Sequence, residues 1–300
     1  MKARLGVLIS TFTVLGLSAG SSYAQTYVDA VLADNPVAYY RLNETSTLNP
    51  AADSANPGGN VGNYNFNFGS LGTPGPTLIG SPGNVAPNFA RADVVSATSA
   101  ALDVPETGSY SIELWFNPRD LSNETPPFKF GELAAKGPNG AAVPAQSWYL
   151  LYWGDQPFGF APGAVRFGVD GSGDADKIVQ SDLVDPNKLV PLDADEWFHI
   201  VGAYDATSGL ASLYLNGSLA ASNTLVSAGP LSPGEPLLIG GLSQGGALVN
   251  FVGGGIDEVA YYGTALSASQ VKAHWDAAPE PGSVILLVVG AFWMLLIRRK

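Results

Sequence analysis

The feature that most restricts this chain is a two-residue alternation of apolar and polar side chains, repeated in short runs and cut by turn-forming residues. Along Tyr110–Asn117, Tyr110, Ile112, Leu114 and Phe116 share one face of an extended strand, while Ser111, Glu113, Trp115 and Asn117 share the other. Trp197, His199, Val201 and Ala203 oppose Phe198, Ile200, Gly202 and Tyr204 in the same way. A helix cannot use a period of two, so these segments must pair in sheets. Further short runs at Val37–Leu42, Gln146–Trp153, Val165–Val169, Leu210–Leu215, Leu237–Ile239 and Gly255–Tyr262 extend the pattern. The expected fold class is all-β, a two-sheet antiparallel sandwich.

Turn chemistry agrees. The 300 residues include 36 Gly and 22 Pro, enough for many short connections. Asn216-Gly217 lies between Leu213-Tyr214-Leu215 and Ser218-Leu219-Ala220, and both turn residues tolerate positive φ, so a tight type I′ hairpin is expected. One helix is predicted over Ser267–Ala277, where Ser267 and Gln270 form a capping box and Val271 and Trp275 share a face. The stretch 49–88 reads as a long loop with one or two edge strands, and 120–144 as a second loop-rich insertion. No linker divides the middle of the chain, which gives one domain over residues 25–278.

Charge and cysteine content remove whole classes of function. The formal net charge is −12, and five of the 14 Lys and Arg lie in the two ends, so the body repels nucleic-acid phosphates and has no basic patch to bind them. Zero cysteines exclude disulfides, thiolate metal sites and thiol nucleophiles.

Both ends read as addresses. Lys2 and Arg4 precede an apolar run from Leu5 to Leu17 and then AGSSYAQ, in which Ser22 and Ala24 fit a small-residue cleavage site; residues 1–24 are expected to be a secretory signal peptide. At the other end, Gly282–Ile297 is uncharged and almost wholly apolar and is followed by Arg298, Arg299 and Lys300. That segment is expected to enter a membrane as a helix, at least transiently, with its basic end held on the cytoplasmic side.

Pro279-Glu280-Pro281, the apolar span 282–297 and the terminal bases together resemble the PEP-CTERM sorting signal of Gram-negative bacteria. The resemblance implies an exosortase as partner and delivery to the cell surface or an extracellular polysaccharide matrix. A second resemblance covers the body. YVDAVLADNPVAYYRLNE, SYSIELWFNP, EWFHIVGAYDATSGLASLYLNG and GGIDEVAYYGTALSASQVKAHW are similar to successive landmarks of LamG-like jelly rolls in the concanavalin A-like lectin/glucanase superfamily. It implies that the first and last landmarks pair as neighbouring strands. It also points to Asp53 and Asp257 as ligands of one structural calcium ion.

The residues argue against turnover. Glycoside hydrolysis needs two carboxylates across one bond. Glu113 stands alone on its strand, while Asp257 and Glu258 are adjacent, so regular alternation sends them to opposite faces. A divergent glycosidase would have to assemble its pair from scattered acids, which otherwise read as surface or loop residues. Gly241-Leu242-Ser243-Gln244-Gly245 spells a nucleophile elbow but lacks the required strand-to-helix setting. The Asp170–Asp176 loop mimics the start of an EF-hand, yet Ala175 stands where glycine is needed and Ser181 where a bidentate glutamate should close the ring. His199 and His274 lack zinc spacing and read as structural, half-buried in a strand and on a helix surface respectively. Sugar recognition needs aromatic planes beside polar groups. Tyr152, Trp153 and Asp155 form the candidate patch, with alternation dividing Trp148, Leu150 and Tyr152 from Tyr149, Leu151 and Trp153. The expectation is an exported, non-catalytic adhesion or matrix protein binding glycans or proteins, with a purely structural matrix role as the alternative.

Overall fold

A computed structural model describes residues 25–90, 92–104, 108–118, 130–137, 147–153, 163–169, 178–182, 196–224 and 233–278. The expected signal peptide 1–24, the expected sorting signal 279–300, the Asp170–Asp176 loop and Asp155 lie outside the described residues. In chain order the elements begin with α1 (Tyr27–Ala33), β1 (Ala38–Tyr40), β2 (Gly62–Asn65), β3 (Ser70–Pro74), β4 (Val85–Phe89) and β5 (Val94–Ala97). Next come β6 (Tyr110–Pro118), β7 (Phe130–Lys136), β8 (Trp148–Trp153), β9 (Ala164–Gly168), β10 (Ile178–Asp182), β11 (Phe198–Asp205), β12 (Leu210–Leu215) and β13 (Ser218–Thr224). The chain then runs through β14 (Leu237–Ile239), β15 (Leu242–Gln244), β16 (Ala247–Val249), β17 (Gly254–Tyr262) and α2 (Ala268–Asp276).

Two large antiparallel sheets form, as the alternation requires. The first runs β13-β12-β11-β6-β17-β4-β3 with β1 paired on β17, and the second runs β10-β9-β8-β7-β14-β5-β2. The first and last landmarks meet: Ala38, Tyr39 and Tyr40 pair with Tyr261, Ala260 and Val259. The loop region 49–88 holds three strands; β2 and β3 are edges, while β4 lies between β3 and β17. The 120–144 region contributes an interior strand, β7, between β8 and β14.

The core lies between the sheets. Tyr110, Ile112, Leu114 and Phe116 of β6 and Phe198, Ile200 and Tyr204 of β11 face Trp148, Leu150, Tyr152, Val165 and Phe167 of the second sheet. Trp148 stacks on Tyr261 with ring centroids 5.8 Å apart, and Gly202 leaves room for the Phe167 ring, which a Cβ there would meet at 2.6 Å. Each sheet also has a cover on its outer face. Helices α1 and α2 lie on the first, over Trp115, Val201, Ala203, Tyr214 and Tyr262. The β15–β16 hairpin contributes Leu242 to a smaller cluster on the second, with Ala135, Tyr149 and Leu151.

Local signals explain the helices. Thr26 caps α1, its hydroxyl accepting from Asp29 N, and Tyr27, Ala30 and Val31 are buried at helical spacing. The capping box of Ser267 and Gln270 opens α2 as expected. Asn216 and Gly217 have φ of 49° and 75°, the pair of positive values that a type I′ turn needs. Trp275 packs on this turn, since a Cβ on Gly217 would stand 2.5 Å from the Trp275 Cβ. Gly217→Ala should therefore strain the backbone and push α2 outward, lowering stability by about 1–3 kcal/mol, read as a fall in Tm with α2 amides exchanging first.

Candidate functional site

Three groups of polar side chains sit in this frame. The first is enclosed beneath the helices. Glu113 points to the outer face of the first sheet and is fully buried. Its Oε1 accepts from the Tyr27 hydroxyl at 2.8 Å and contacts His199 Nε2 at 2.7 Å, and its Oε2 accepts from the Tyr262 hydroxyl at 2.7 Å. His274 Nδ1 lies 2.9 and 3.1 Å from the two oxygens, while its Nε2 lies 3.0 Å from Asp34 Oδ2 at the end of α1. Burial alone would raise the Glu113 pKa, but the His274 charge and the hydrogen bonds from His199 and His274 hold it well below the usual 4.5. Burial pulls His274 down, and Glu113 and Asp34 more than reverse this, so its pKa stands above 6.5. The histidines are thus more enclosed than expected: His199 is fully buried and His274, placed on a helix surface by its sequence, is 1% exposed. Glu113, read as a solitary surface acid, is the centre of the cluster.

The second group occupies β17. A β-bulge between Asp257 and Ala260, with Glu258 at φ 53°, breaks the alternation and turns both acids toward the outer face. Both reach the Ser81–Asn84 turn: Asn84 Nδ2 donates to Asp257 Oδ2 at 2.6 Å, and Arg41 bonds Glu258 Oε1 at 3.2 Å and Ser81 Oγ at 2.9 Å. Tyr39 donates to Glu258 as well. Burial and the Glu258 charge push Asp257 well up, and burial lifts Glu258 to about 7 against the pull of Arg41. The expectation of opposite faces fails here because it assumed an unbroken strand.

The aspartates expected to share calcium have separate partners. Asp53 receives Tyr39 N, Ala55 N and Asn56 N on Oδ1 at 2.9–3.2 Å and Asn60 Nδ2 on Oδ2 at 2.9 Å, so its carboxylate is committed to fixing its own loop. Asp257 Oδ1 and Asn84 Oδ1 are buried without a partner. Among the described residues, no group of three or more His, Asp or Glu is placed to hold a metal ion.

The third group lies on the outer face of the second sheet. Register aligns Glu132, Leu151, Arg166 and Gln180 in one row across β7, β8, β9 and β10. Arg166 donates to Gln180 Oε1 through Nε and Nη2 at 3.2 and 3.0 Å, and its guanidinium carbon stands 5.5 Å from the Trp153 ring centroid. On the other flank the Tyr149 ring covers Gly168, where a Cβ would meet it at 2.1 Å. Trp153, Arg166 and Gln180 are half-buried, while Glu132 is 2% exposed and burial lifts its carboxyl to about 8. Of the expected sugar patch, Trp153 belongs to this face. Tyr152 instead turns into the core, edge-on to Phe116 at 5.0 Å. Sequence alone missed Arg166, Gln180 and Glu132, because cross-strand register carries no local signal.

An antiparallel sandwich of two large sheets, with the first strand paired to the last described one, is consistent with a jelly-roll module. Residues 89–272 match the Laminin_G_3 family, and the chain belongs to this family of the concanavalin A-like lectin/glucanases superfamily. The chain is 27% identical over 169 residues to human pentraxin-related protein PTX3, which is 56% of this chain and 36% of that protein; it thus spans about a third of that relative's length. Domain 4 of AbnA, a GH43 extracellular arabinanase from Geobacillus stearothermophilus solved with arabinotriose, superposes with a TM-score of 0.52 at 16% identity, covering 82% of this chain and 98% of that one. The binding domain of paraclostridial mosquitocidal protein 1 gives 0.53 at 13% identity, over 82% and 53% of the two chains. At such identities these likenesses show the fold alone.

Removing one member of the enclosed cluster leaves the others charged or unbonded in the interior. Glu113→Ala should cost about 3–5 kcal/mol, measured by chemical denaturation at pH 7, because Tyr27, His199, Tyr262 and His274 Nδ1 lose their shared acceptor beside a buried cavity.

Proposed function

We propose that this protein is an exported, non-catalytic carbohydrate-binding module held at the cell surface or in an extracellular polysaccharide matrix. The observation that carries the reading is the outer face of the second sheet, where the half-buried Trp153 plane lies beside the hydrogen-bonding heads of Arg166 and Gln180. An indole plane of this kind packs on the apolar face of a sugar ring while the polar row bonds its hydroxyls. The sugar-bound arabinanase domain of the same fold is consistent with this use. The four carboxyls of Glu113, Asp257, Glu258 and Glu132, each 0–2% exposed, support binding without turnover, since none of them reaches a substrate from solvent. The signal-peptide pattern of residues 1–24 supports export, and Pro279-Glu280-Pro281 with Arg298 and Arg299 supports sorting by an exosortase after transient membrane insertion of 282–297.

Calcium enters this reading as a structural ion. What supports it is that Asp257 and Asn84 each hold a buried oxygen without a partner, the kind of oxygen hard cations take. Bound there, calcium would neutralise part of the Asp257–Glu258 charge. Asp53 has no comparable vacancy among its hydrogen bonds.

On a glycan array, the wild-type body should give a signal, and Trp153→Ala should weaken the titrated affinity by about tenfold or more, equivalent to roughly 1.4 kcal/mol. Absence of signal with and without chelator would favour a spacer role, and release of reducing ends from a polysaccharide would establish an enzyme. Millimolar calcium should raise Tm in the wild type and leave Asp257→Asn unmoved, as ligand linkage requires. Mass spectrometry of the mature product tests sorting; a C-terminus still ending in Lys300 contradicts it.

A further inference from the structure

We propose that His274 is a doubly protonated pin fastening both helices to the first sheet, and that loss of one proton unlatches α2 while the sandwich stays folded. The geometry points to this protonation state. Nδ1 faces Glu113 at 2.9 Å and Nε2 faces Asp34 at 3.0 Å, so each ring nitrogen meets a carboxylate oxygen. Ionised carboxylates only accept, and a neutral imidazole can satisfy one of them, not both. Tyr27 and Tyr262 also donate to Glu113, and this surround of donors favours its anion.

Every element around the ring contributes a charged or titratable group. Glu113 comes from β6, His199 from β11 and Tyr262 from β17, while α1 supplies Tyr27 and Asp34. Tyr39 of β1 and Glu258 of β17 bond one another farther along the same face. On α2 itself, Lys272 and Asp276 pair on the exposed side. Two anions therefore flank one cation. Without its proton, a lone pair on the ring confronts a carboxylate, and one acceptor in a buried cluster loses its donor.

Helix α2 is the element that gives way, since nine residues do not hold a helix without packing. Its release uncovers Val271 and Trp275 and lifts the ring stack of Trp275 on Trp115, centroids 5.5 Å apart. Asp34, with a side chain 21% exposed, links the enclosed ring to solvent. His274, with its folded pKa above 6.5, contributes stability fully present below that unfolded value and lost as pH rises through the folded one. Glu113, held below 4.5, contributes stability lost as pH falls through its folded value. The latch is tightest between about pH 4.5 and 6.5 and opens on the alkaline side.

Nitrogen NMR of the histidine rings, paired with hydrogen exchange of the 268–276 amides corrected for intrinsic rate, tests the pin in the folded domain. At pH 6 both His274 nitrogens should carry protons. Protection of α2 should fall about tenfold per pH unit above the folded pKa, the slope of one proton, while β6 and β11 stay protected. His274→Gln should show the weakly protected α2 already at pH 6, with no further pH slope. Should that variant not fold, Asp34→Asn, altered at the exposed end, should shift the opening to lower pH. An unprotonated His274 nitrogen at pH 6, α2 protection flat with pH, or loss of protection in β6 and β11 together with α2 would each overturn the proposal.

Discussion

A carboxylate sealed from water fixes the arrangement of this domain's outer layer. Placing the Glu113 charge at the interface between sheet and helices carries a desolvation cost of several kcal/mol unless donors surround it. Four side chains from four elements do so: Tyr27, His199, Tyr262 and His274. Each sits on a different element, so the charge can be satisfied only when α1, β11, β17 and α2 are all in place. An apolar interface tolerates sliding, whereas this one specifies a single seating for each helix. Hydrophobic burial of Tyr27, Val31, Leu266 and Val271 supplies the bulk attraction, and the polar cluster selects the orientation.

Much of the sandwich was written in the alternation. Tyr110–Phe116 and Phe198–Tyr204 have one face in the inter-sheet core and the other beneath the helices, so the pattern and the burial coincide. The Asn216-Gly217 turn and the Ser267 cap were legible for the same reason: their chemistry is local. Strand β7 was not, because Leu133 and Ala134 both enter the core across a bulge and its small residues blur the period. Helix α1 carried a readable signal, Thr26 with Asp29 followed by Tyr27, Ala30 and Val31, but seven residues are short enough to pass as part of an extended segment. Glu258 escaped because one positive φ reverses the facing rule. His274 escaped because its partners stand 161 and 240 positions away.

The two outer faces divide the chemistry. Over the first sheet, helices enclose the ionised cluster, and Arg41, Tyr39 and Asn84 hold the acids of β17. Over the second, the β15–β16 hairpin covers only part of the surface, leaving Trp153, Arg166 and Gln180 within reach of solvent. Acids on the first side are held by internal partners, so a protein with a strongly negative overall charge keeps several of its anions out of contact with solvent. Buried aspartates do the same for loops: Asp93 gathers Asn67 N, Phe68 N and Ala90 N much as Asp53 gathers its own neighbours.

Helix α2 follows the last strand and leads directly to residue 278, and this order has a mechanical consequence. A tensile load applied beyond that residue reaches α2 before any strand, and is met first by the Glu113–His274 contact and the Trp275–Trp115 stack rather than by a ladder of backbone bonds. Under pulling, the helix would peel away as a short extension and spend the first increment of force, leaving the paired β1 and β17 to bear only what remains.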